Sequence, residues 1–283
     1  MGTYMKVMCL VFFCFLLTTS CYDIPKEKKE PDVIFATTPH RIVREMLQLA
    51  HVTKDDVVYD LGSGDGRIVI AAAKDFGARG VGIEIDQELV QESMKHAKEQ
   101  GVSDRVTFVA QDIFQTDISR ATVVTLYMLP ELNTKLLPKL LKELQPGARI
   151  VSHKFGISNW KPDMTLEAYD SKILFWTVPA VTHGEWHLTL TNERMHRTAT
   201  LKLKQRYQET TGTFSDGTRN LKISHIKIYG KEFMMTVADT KRKPWFLLEI
   251  ESTIHGNTMA GTARLTENNV SSRYIVKGFK VSQ

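Results

Sequence analysis

Three glycines and three acids carry the first chemical signal in this chain. Gly62, Gly64 and Gly66 sit in the run Asp60-Leu61-Gly62-Ser63-Gly64-Asp65-Gly66-Arg67, and Glu84 follows further on. The apolar residues Val57-Val58-Tyr59 before the loop have the length and β-branching of a buried strand. Ile68 to Phe76, rich in Ile and Ala, reads as a helix that Gly77 stops. Gly80 to Ile83 reads as a second strand ending at Glu84. A right-handed crossover then puts the glycine loop and Glu84 at the same carboxyl edge of a parallel sheet.

Such an edge suits a nucleoside. Glycines without Cβ let a ligand approach the backbone. An acid about 20 residues past the loop can accept hydrogen bonds from two ribose hydroxyls, and Glu84 is so placed. The spacing departs from the dinucleotide fingerprint G-x-G-x-x-G, because Arg67 fills the slot of its third glycine. Asp60 and Asp65 flank the loop. Negative charge there disfavours a pyrophosphate and suits a ligand carrying an ammonium and a sulfonium, such as S-adenosylmethionine (SAM).

Six motifs in order extend the signal: FATTP (Phe35 to Pro39), DLGSGDGR (Asp60 to Arg67), GIEID (Gly82 to Asp86), QDIF (Gln111 to Phe114), TLYMLPELN (Thr125 to Asn133) and NWKPD (Asn159 to Asp163). On these residues the chain resembles the class I SAM-dependent methyltransferases. Within them it resembles the lysine methyltransferases that modify the c ring of ATP synthase and the adenine nucleotide translocase, with their prokaryotic relatives. The resemblance spans Phe35 to Pro162. It implies an α/β fold with a Rossmann-like seven-stranded sheet, SAM as cofactor, and an amine as acceptor, a protein lysine above all.

The resemblance also assigns residues. Thr38 is a candidate SAM contact, and capping of the next helix explains it equally well. Thr37 replaces the first proline of the family's entry motif. Asp112 is expected to accept from the adenine amino group, with Ile113 packing on the ring. Tyr127 and the carbonyls around Leu129 and Pro130 are candidates to hold the acceptor amine in its neutral form. Asn133 is a candidate either to cap the next helix or to reach the acceptor, and Trp160 to wall the acceptor channel. His153 lies at the end of the fifth strand, as a proton shuttle or a satisfied structural histidine.

The remaining elements follow from periodicity. Helices are expected over Gln87 to Gln100 and Glu131 to Leu144, with strands at Val106 to Ala110, Ala121 to Tyr127 and Arg149 to His153. Lys172 to Val178 and Glu185 to Thr191 read as an edge hairpin completing the seven-stranded sheet. From about Met195 the pattern turns to period two. Turn signals recur at Asp216-Gly217, Gly230-Lys231, Gly256-Asn257 and Asn268-Asn269. Six strands, from Thr200 to Val281, predict a small antiparallel β barrel or sandwich. The expected layout is residues 35–194 for the methyltransferase domain and 195–283 for the β domain.

Composition narrows the classes. The 283 residues are 42% hydrophobic and 24% charged, with a net charge of +5, which is globular and only mildly basic. No Lys/Arg cluster interleaved with aromatics points to nucleic acid. A monomer is expected. Cys9, Cys14 and Cys21 are all N-terminal, so the folded part has neither a disulfide framework nor a thiolate metal site. No histidine set has metal-ligand spacing, and no metal is expected. Two other functions stay open: a small-molecule methyltransferase, and a non-catalytic surface lipoprotein of SAM-binding fold that holds a ligand on its β domain.

The N-terminus carries a different signal. Lys6 precedes the apolar run Val7 to Leu17, which has the length of a signal-peptide core and falls short of a membrane span. Thr18-Thr19-Ser20-Cys21 resembles a lipobox. Residues 1–21 are therefore expected to be a lipoprotein signal and 22–34 a solvated tether, placing an exported, lipid-anchored protein at a bacterial membrane. The alternative is an uncleaved N-terminal anchor with a cytoplasmic catalytic domain, which Lys26, Lys28 and Lys29 favour. Metabolic palmitate labelling checks the lipid anchor: the label is expected on the wild type and absent from Cys21→Ser. Equal labelling of both contradicts it.

Overall fold

The computed structural model describes residues 36–239 and 245–281. The signal, lipobox and tether readings lie outside the described residues.

The first layer alternates strands and helices. Its elements are α1 (His40–Leu49), β1 (Val57–Leu61), α2 (Arg67–Phe76), β2 (Arg79–Glu84), α3 (Gln87–Glu99), β3 (Val106–Ala110), β4 (Val123–Leu126), α4 (Pro130–Glu143) and β5 (Arg149–His153). Two further strands, β6 (Met164–Ala168) and β7 (Ser171–Thr177), close a seven-stranded sheet of order β3-β2-β1-β4-β5-β7-β6. β1 to β5 are parallel, while β7 runs antiparallel to β5 and to β6. The central strands are apolar on both faces because helices cover both. α1 and α2 bury Ile42, Met46, Val69 and Ala73 on one face, and α4 buries Leu132, Leu136 and Leu140 on the other. The parallel order gathers the carboxyl ends of β1, β2, β4 and β5 at one edge, where Asp60, Glu84, Tyr127 and His153 stand.

The second layer is an antiparallel meander of nine strands. These are β8 (Gly184–Thr191), β9 (His196–Arg206), β10 (Glu209–Ser215), β11 (Asn220–Lys222), β12 (His225–Tyr229), β13 (Glu232–Asp239), β14 (Phe246–His255), β15 (Thr258–Glu267) and β16 (Val270–Lys280). The order β11-β10-β9-β8-β16-β15-β14-β13-β12 makes β11 and β12 the two edges of one sheet, yet they are consecutive in sequence. The sheet therefore curls until Ile223 and Ser224 bridge its edges. Ile223 donates its N–H to the Gly212 carbonyl at 3.0 Å, and Ser224 donates to Thr236 at 2.9 Å. Trp186, Leu201, Phe233, Leu248 and Val276 fill the inside, at alternate positions as the period of two requires.

One strand assignment is corrected. Glu185 to Thr191 does not complete the first sheet but forms β8 of the second, paired with β9 and β16. β7 pairs with β6 instead. The period of two in β8 is legible, but its partner β16 lies far along the chain, and local sequence does not specify that pairing. β6 is a short edge strand with one fully buried residue, Ala168, and offers no pattern to read. β10 offers no readable pattern either, because Phe214 is its one fully buried side chain.

Candidate active site

The glycine loop leaves β1 in a left-handed conformation. Gly62, Gly64 and Gly66 have φ of 81°, 52° and 78°. A Cβ on Gly66 would lie 2.6 Å from the Phe108 ring and 2.9 Å from Ser93 Cβ, so no side chain fits there. Gly62 and Ser63 both donate N–H groups to the Ile83 carbonyl, at 2.8 and 2.9 Å, which stitches the loop to β2. Helix α3 holds it from outside: the Ser93 hydroxyl donates to the Gly64 carbonyl at 2.9 Å, and His96 Nδ1 lies 3.2 Å from the Asp65 carbonyl.

Glu84 stands beside this loop at the end of β2. Its Oε2 accepts the Gly64 N–H at 2.9 Å, and its Oε1 accepts the N–H groups of Ile85 and Asp86 at 2.8 and 3.0 Å. The carboxylate thus joins the loop to the β2–α3 turn and is held by three backbone N–H groups. The Gln111 N–H donates to the Glu84 carbonyl at 2.9 Å, which brings the Asp112-Ile113 turn alongside. Asp112 Oδ1 accepts the Phe114 N–H at 3.0 Å, so it caps its own turn, and Ile113 packs partly buried on the α4 side of the sheet.

Asp60 is the buried acid of the site. Thr125 donates its hydroxyl to Asp60 Oδ1 at 2.6 Å. Burial raises the Asp60 carboxyl, the Thr125 hydrogen bond pulls it down, and the neighbouring Glu84 and Asp65 carboxylates raise it again, leaving it pushed up to about 7. Asp65 differs. Burial raises it, but hydrogen bonds and charge from Arg67 hold it below the usual carboxylate range. Arg67 Nε donates to Asp65 Oδ1 at 2.9 Å, while its Nη1 reaches the Thr38 carbonyl at 3.1 Å. Asp65 is therefore ion-paired with Arg67 where both line the cavity beside Asp60.

Thr38, Asp60, Gly62, Gly64, Asp65, Arg67 and Tyr127 line one cavity together with Ala36, Thr37, Ser63 and Ile68. Thr38 is not the helix cap: Pro39 precedes α1, and no side chain caps it. Its hydroxyl lies 3.2 Å from His153 Nδ1 instead. Burial, and then the charge of Lys154, push His153 down to about 4, so it is neutral. The Tyr127 ring lies 4.2 Å from the His153 ring and 6.0 Å from Phe155, the latter stacked at 15°. Tyr127 lines the cavity, and His153 and Phe155, outside the lining, pack against its ring to form an aromatic cluster on the β4–β5 side.

Other expected residues stand apart from the cavity lining. Pro130 is the exposed first residue of α4. The Leu129 carbonyl accepts from Leu132 and Asn133, and the Pro130 carbonyl accepts from Thr134, so both are engaged within the helix. Asn133 is fully buried. It neither caps α4, whose N-cap is Leu129, nor opens to the cavity. Its Nδ2 donates to the carbonyls of Met128, Phe155 and Gly156 at 3.2, 3.4 and 3.2 Å. Trp160 is 2% exposed and lies under Tyr207 of the second sheet, not along a channel. Sequence reasoning passed over Phe155 and the role of Arg67. The second had a signal, an arginine two residues from an acid in a tight turn.

A loop-bound acid at the carboxyl edge of this sheet order, with an antiparallel strand after β5, defines a class I methyltransferase. The comparisons with known proteins carry this to a family. Residues 60–164 match the ANTKMT methyltransferase domain. A protein-lysine N-methyltransferase of Saccharolobus islandicus (strain REY15A) is 46% identical over 144 residues, covering 50% of this chain and 89% of that protein. An adenine nucleotide translocase lysine N-methyltransferase of Mus musculus is 36% identical over 103 residues, 36% of this chain and 45% of that protein. A solved RNA methyltransferase from Salinibacter ruber, in complex with S-adenosyl-L-homocysteine, is 54% identical with a TM-score of 0.50, and covers 50% of this chain and 93% of its own. The chain belongs to the ANTKMT methyltransferase family.

The acid balance of the site makes a prediction. Asp60 holds its proton more tightly in the folded chain than its ordinary value of 3.8 allows in the unfolded one. That contribution to stability is full below pH 3.8 and is lost as pH rises through about 7. Asp60→Asn, which keeps the shape without the charge, is expected to gain melting temperature over the wild type across this window and to hold a constant lead above it. A lead that does not change with pH, measured by thermal denaturation of the ligand-free protein, contradicts the assignment.

Proposed function

We propose that this chain uses SAM to methylate the side-chain amine of protein lysines. The observation that carries the reading is Asp60, a buried carboxylate under the glycine turn whose ionised form needs a cation nearby. The ammonium of a bound SAM meets that need, and the three glycines give its backbone-facing side room. Glu84 is held by backbone N–H groups at the loop edge, in position to accept from ribose hydroxyls. Asp112 and Ile113, brought alongside by the Gln111 hydrogen bond, are assigned to the adenine. When bound, SAM supplies a methyl group on a cationic sulfur, open to in-line displacement.

The acceptor side needs a neutral amine. Tyr127, with His153 and Phe155 packed against its ring, offers an aromatic surface at the cavity for the stem of a lysine. Partial desolvation by that surface lowers the pKa of a lysine ammonium. Neutral His153 adds no charge. With the Leu129 and Pro130 carbonyls engaged in α4, the Tyr127 hydroxyl is left as the candidate to hold the amine. Positioning supplies the greater part of the rate in this arrangement. The lysine assignment draws support from the names of two relatives that match the first layer of this chain. The apolar run before Cys21 supports a place at a membrane.

Two measurements test the reading. Calorimetric titration with SAM is expected to show tight binding that Glu84→Ala weakens on the order of 100-fold, from the loss of two charge-assisted hydrogen bonds. Glu84→Gln, which still accepts N–H bonds and preserves the loop, is expected to weaken it less. Equal binding by all three proteins removes Glu84 from the site. Transfer of tritiated methyl from SAM into a whole-cell extract is expected to label acid-precipitable protein in a protease-sensitive manner. Label confined to RNA or to small molecules overturns the lysine assignment.

A further inference from the structure

One amide of the second sheet reaches into the first layer and has no part in the cofactor edge. Tyr207 and Gln208 form the tight turn between β9 and β10, and Tyr207 has a left-handed φ of 57°. The Tyr207 ring stacks on Trp160 at 5.7 Å and 24°. Gln208 Oε1 accepts the Trp160 indole N–H at 2.7 Å, and its Nε2 donates to the Lys161 carbonyl at 2.7 Å. The one side chain thus grips both a ring and the backbone of the loop between β5 and β6.

The other end of that loop is the aromatic cluster. Ser152 donates its hydroxyl to the Phe155 carbonyl at 2.7 Å, and buried Asn133 donates to the Phe155 and Gly156 carbonyls. The Trp160 N–H closes a tight turn onto the Ile157 carbonyl at 3.0 Å. Phe155 and Trp160 therefore sit at two ends of one short, cross-tied segment. Phe155 faces Tyr127, and Trp160 faces the second sheet. The glycine loop draws its supports from elsewhere, namely β2, α3 and Arg67.

We propose that Gln208 is a positioning residue for methyl transfer: through Trp160 it fixes where Phe155 stands, so the second sheet governs turnover of the acceptor and leaves SAM binding alone. The proposal rests on the reading of Tyr127, with Phe155 packed against it, as the acceptor surface. A reacting amine displaced by a fraction of an ångström loses rate without losing affinity for the cofactor.

The test compares the full chain with Gln208→Ala, Gln208→Glu and Phe155→Ala. Gln208→Glu keeps an acceptor for the indole but loses the donor to the Lys161 carbonyl and sets a carboxylate near Asp163, and the melting temperatures guard against a variant that merely fails to fold. SAM affinity, melting temperature and the saturating rate of tritiated methyl transfer into extract protein are measured for each. Gln208→Ala is expected to lower the rate about tenfold or more, with SAM affinity within about twofold of the wild type, and Gln208→Glu, which keeps only the indole bond, to fall between the two. A rate within about twofold of the wild type in Gln208→Ala, or a parallel fall of SAM affinity, overturns the proposal. Phe155→Ala separates the two levels. If it leaves transfer unchanged, the acceptor-surface reading fails. If it slows transfer while Gln208→Ala does not, only the role of the second sheet fails.

Discussion

A carboxylate sealed beneath a glycine turn is the constraint on which this site depends. Three acids converge at the carboxyl edge of the first sheet, and the chain treats each differently. Asp65 is ion-paired with Arg67, and Glu84 is satisfied by three backbone N–H groups. Asp60 receives a hydroxyl from Thr125 and keeps a carboxyl pushed up to about 7. A cationic ligand group beside Asp60 favours its ionised form, and the buried setting strengthens that attraction. On the proposed reading, the site favours positive charge at the position where a phosphate-binding loop would favour negative charge.

The rest of the first layer holds that arrangement in register. The parallel pairing of β1 with β2 and β4 sets Asp60 opposite Gly82 and Thr125, which fixes both the glycine stitch and the hydroxyl partner. Arg67 reaches back to the Thr38 carbonyl, and Thr38 meets His153, so the segment before α1 is tied across the cavity to the aromatic cluster. Among the described residues, the second layer adds none to the cavity lining. It meets the loop behind Phe155 through Tyr207 and Gln208.

Much of this was legible in the sequence, for local reasons. The glycine loop, Glu84 and the alternation of strand and helix are set by residues near one another along the chain, and the structure places them as read. The strands of the second sheet were visible through their period of two and their turn residues, and Asn268-Asn269 does adopt left-handed φ at both positions. What the sequence could not show depends on distant pairing. β8 is apolar at alternate positions whichever sheet it joins, and only its partners β9 and β16 decide. Trp160 is a tryptophan in a family motif, which says nothing about Tyr207 lying over it. Asp65 looked equivalent to Asp60 until Arg67 folded back onto it.

The charge state of Asp60 is the quantity to measure. Heats of SAM binding near pH 6, taken in buffers of differing ionisation enthalpy, report the protons released as the complex forms. The account predicts release of close to one proton from the wild type, because a carboxyl pushed up to about 7 is mostly protonated before binding and ionised after it. SAM binding with no proton released would contradict it.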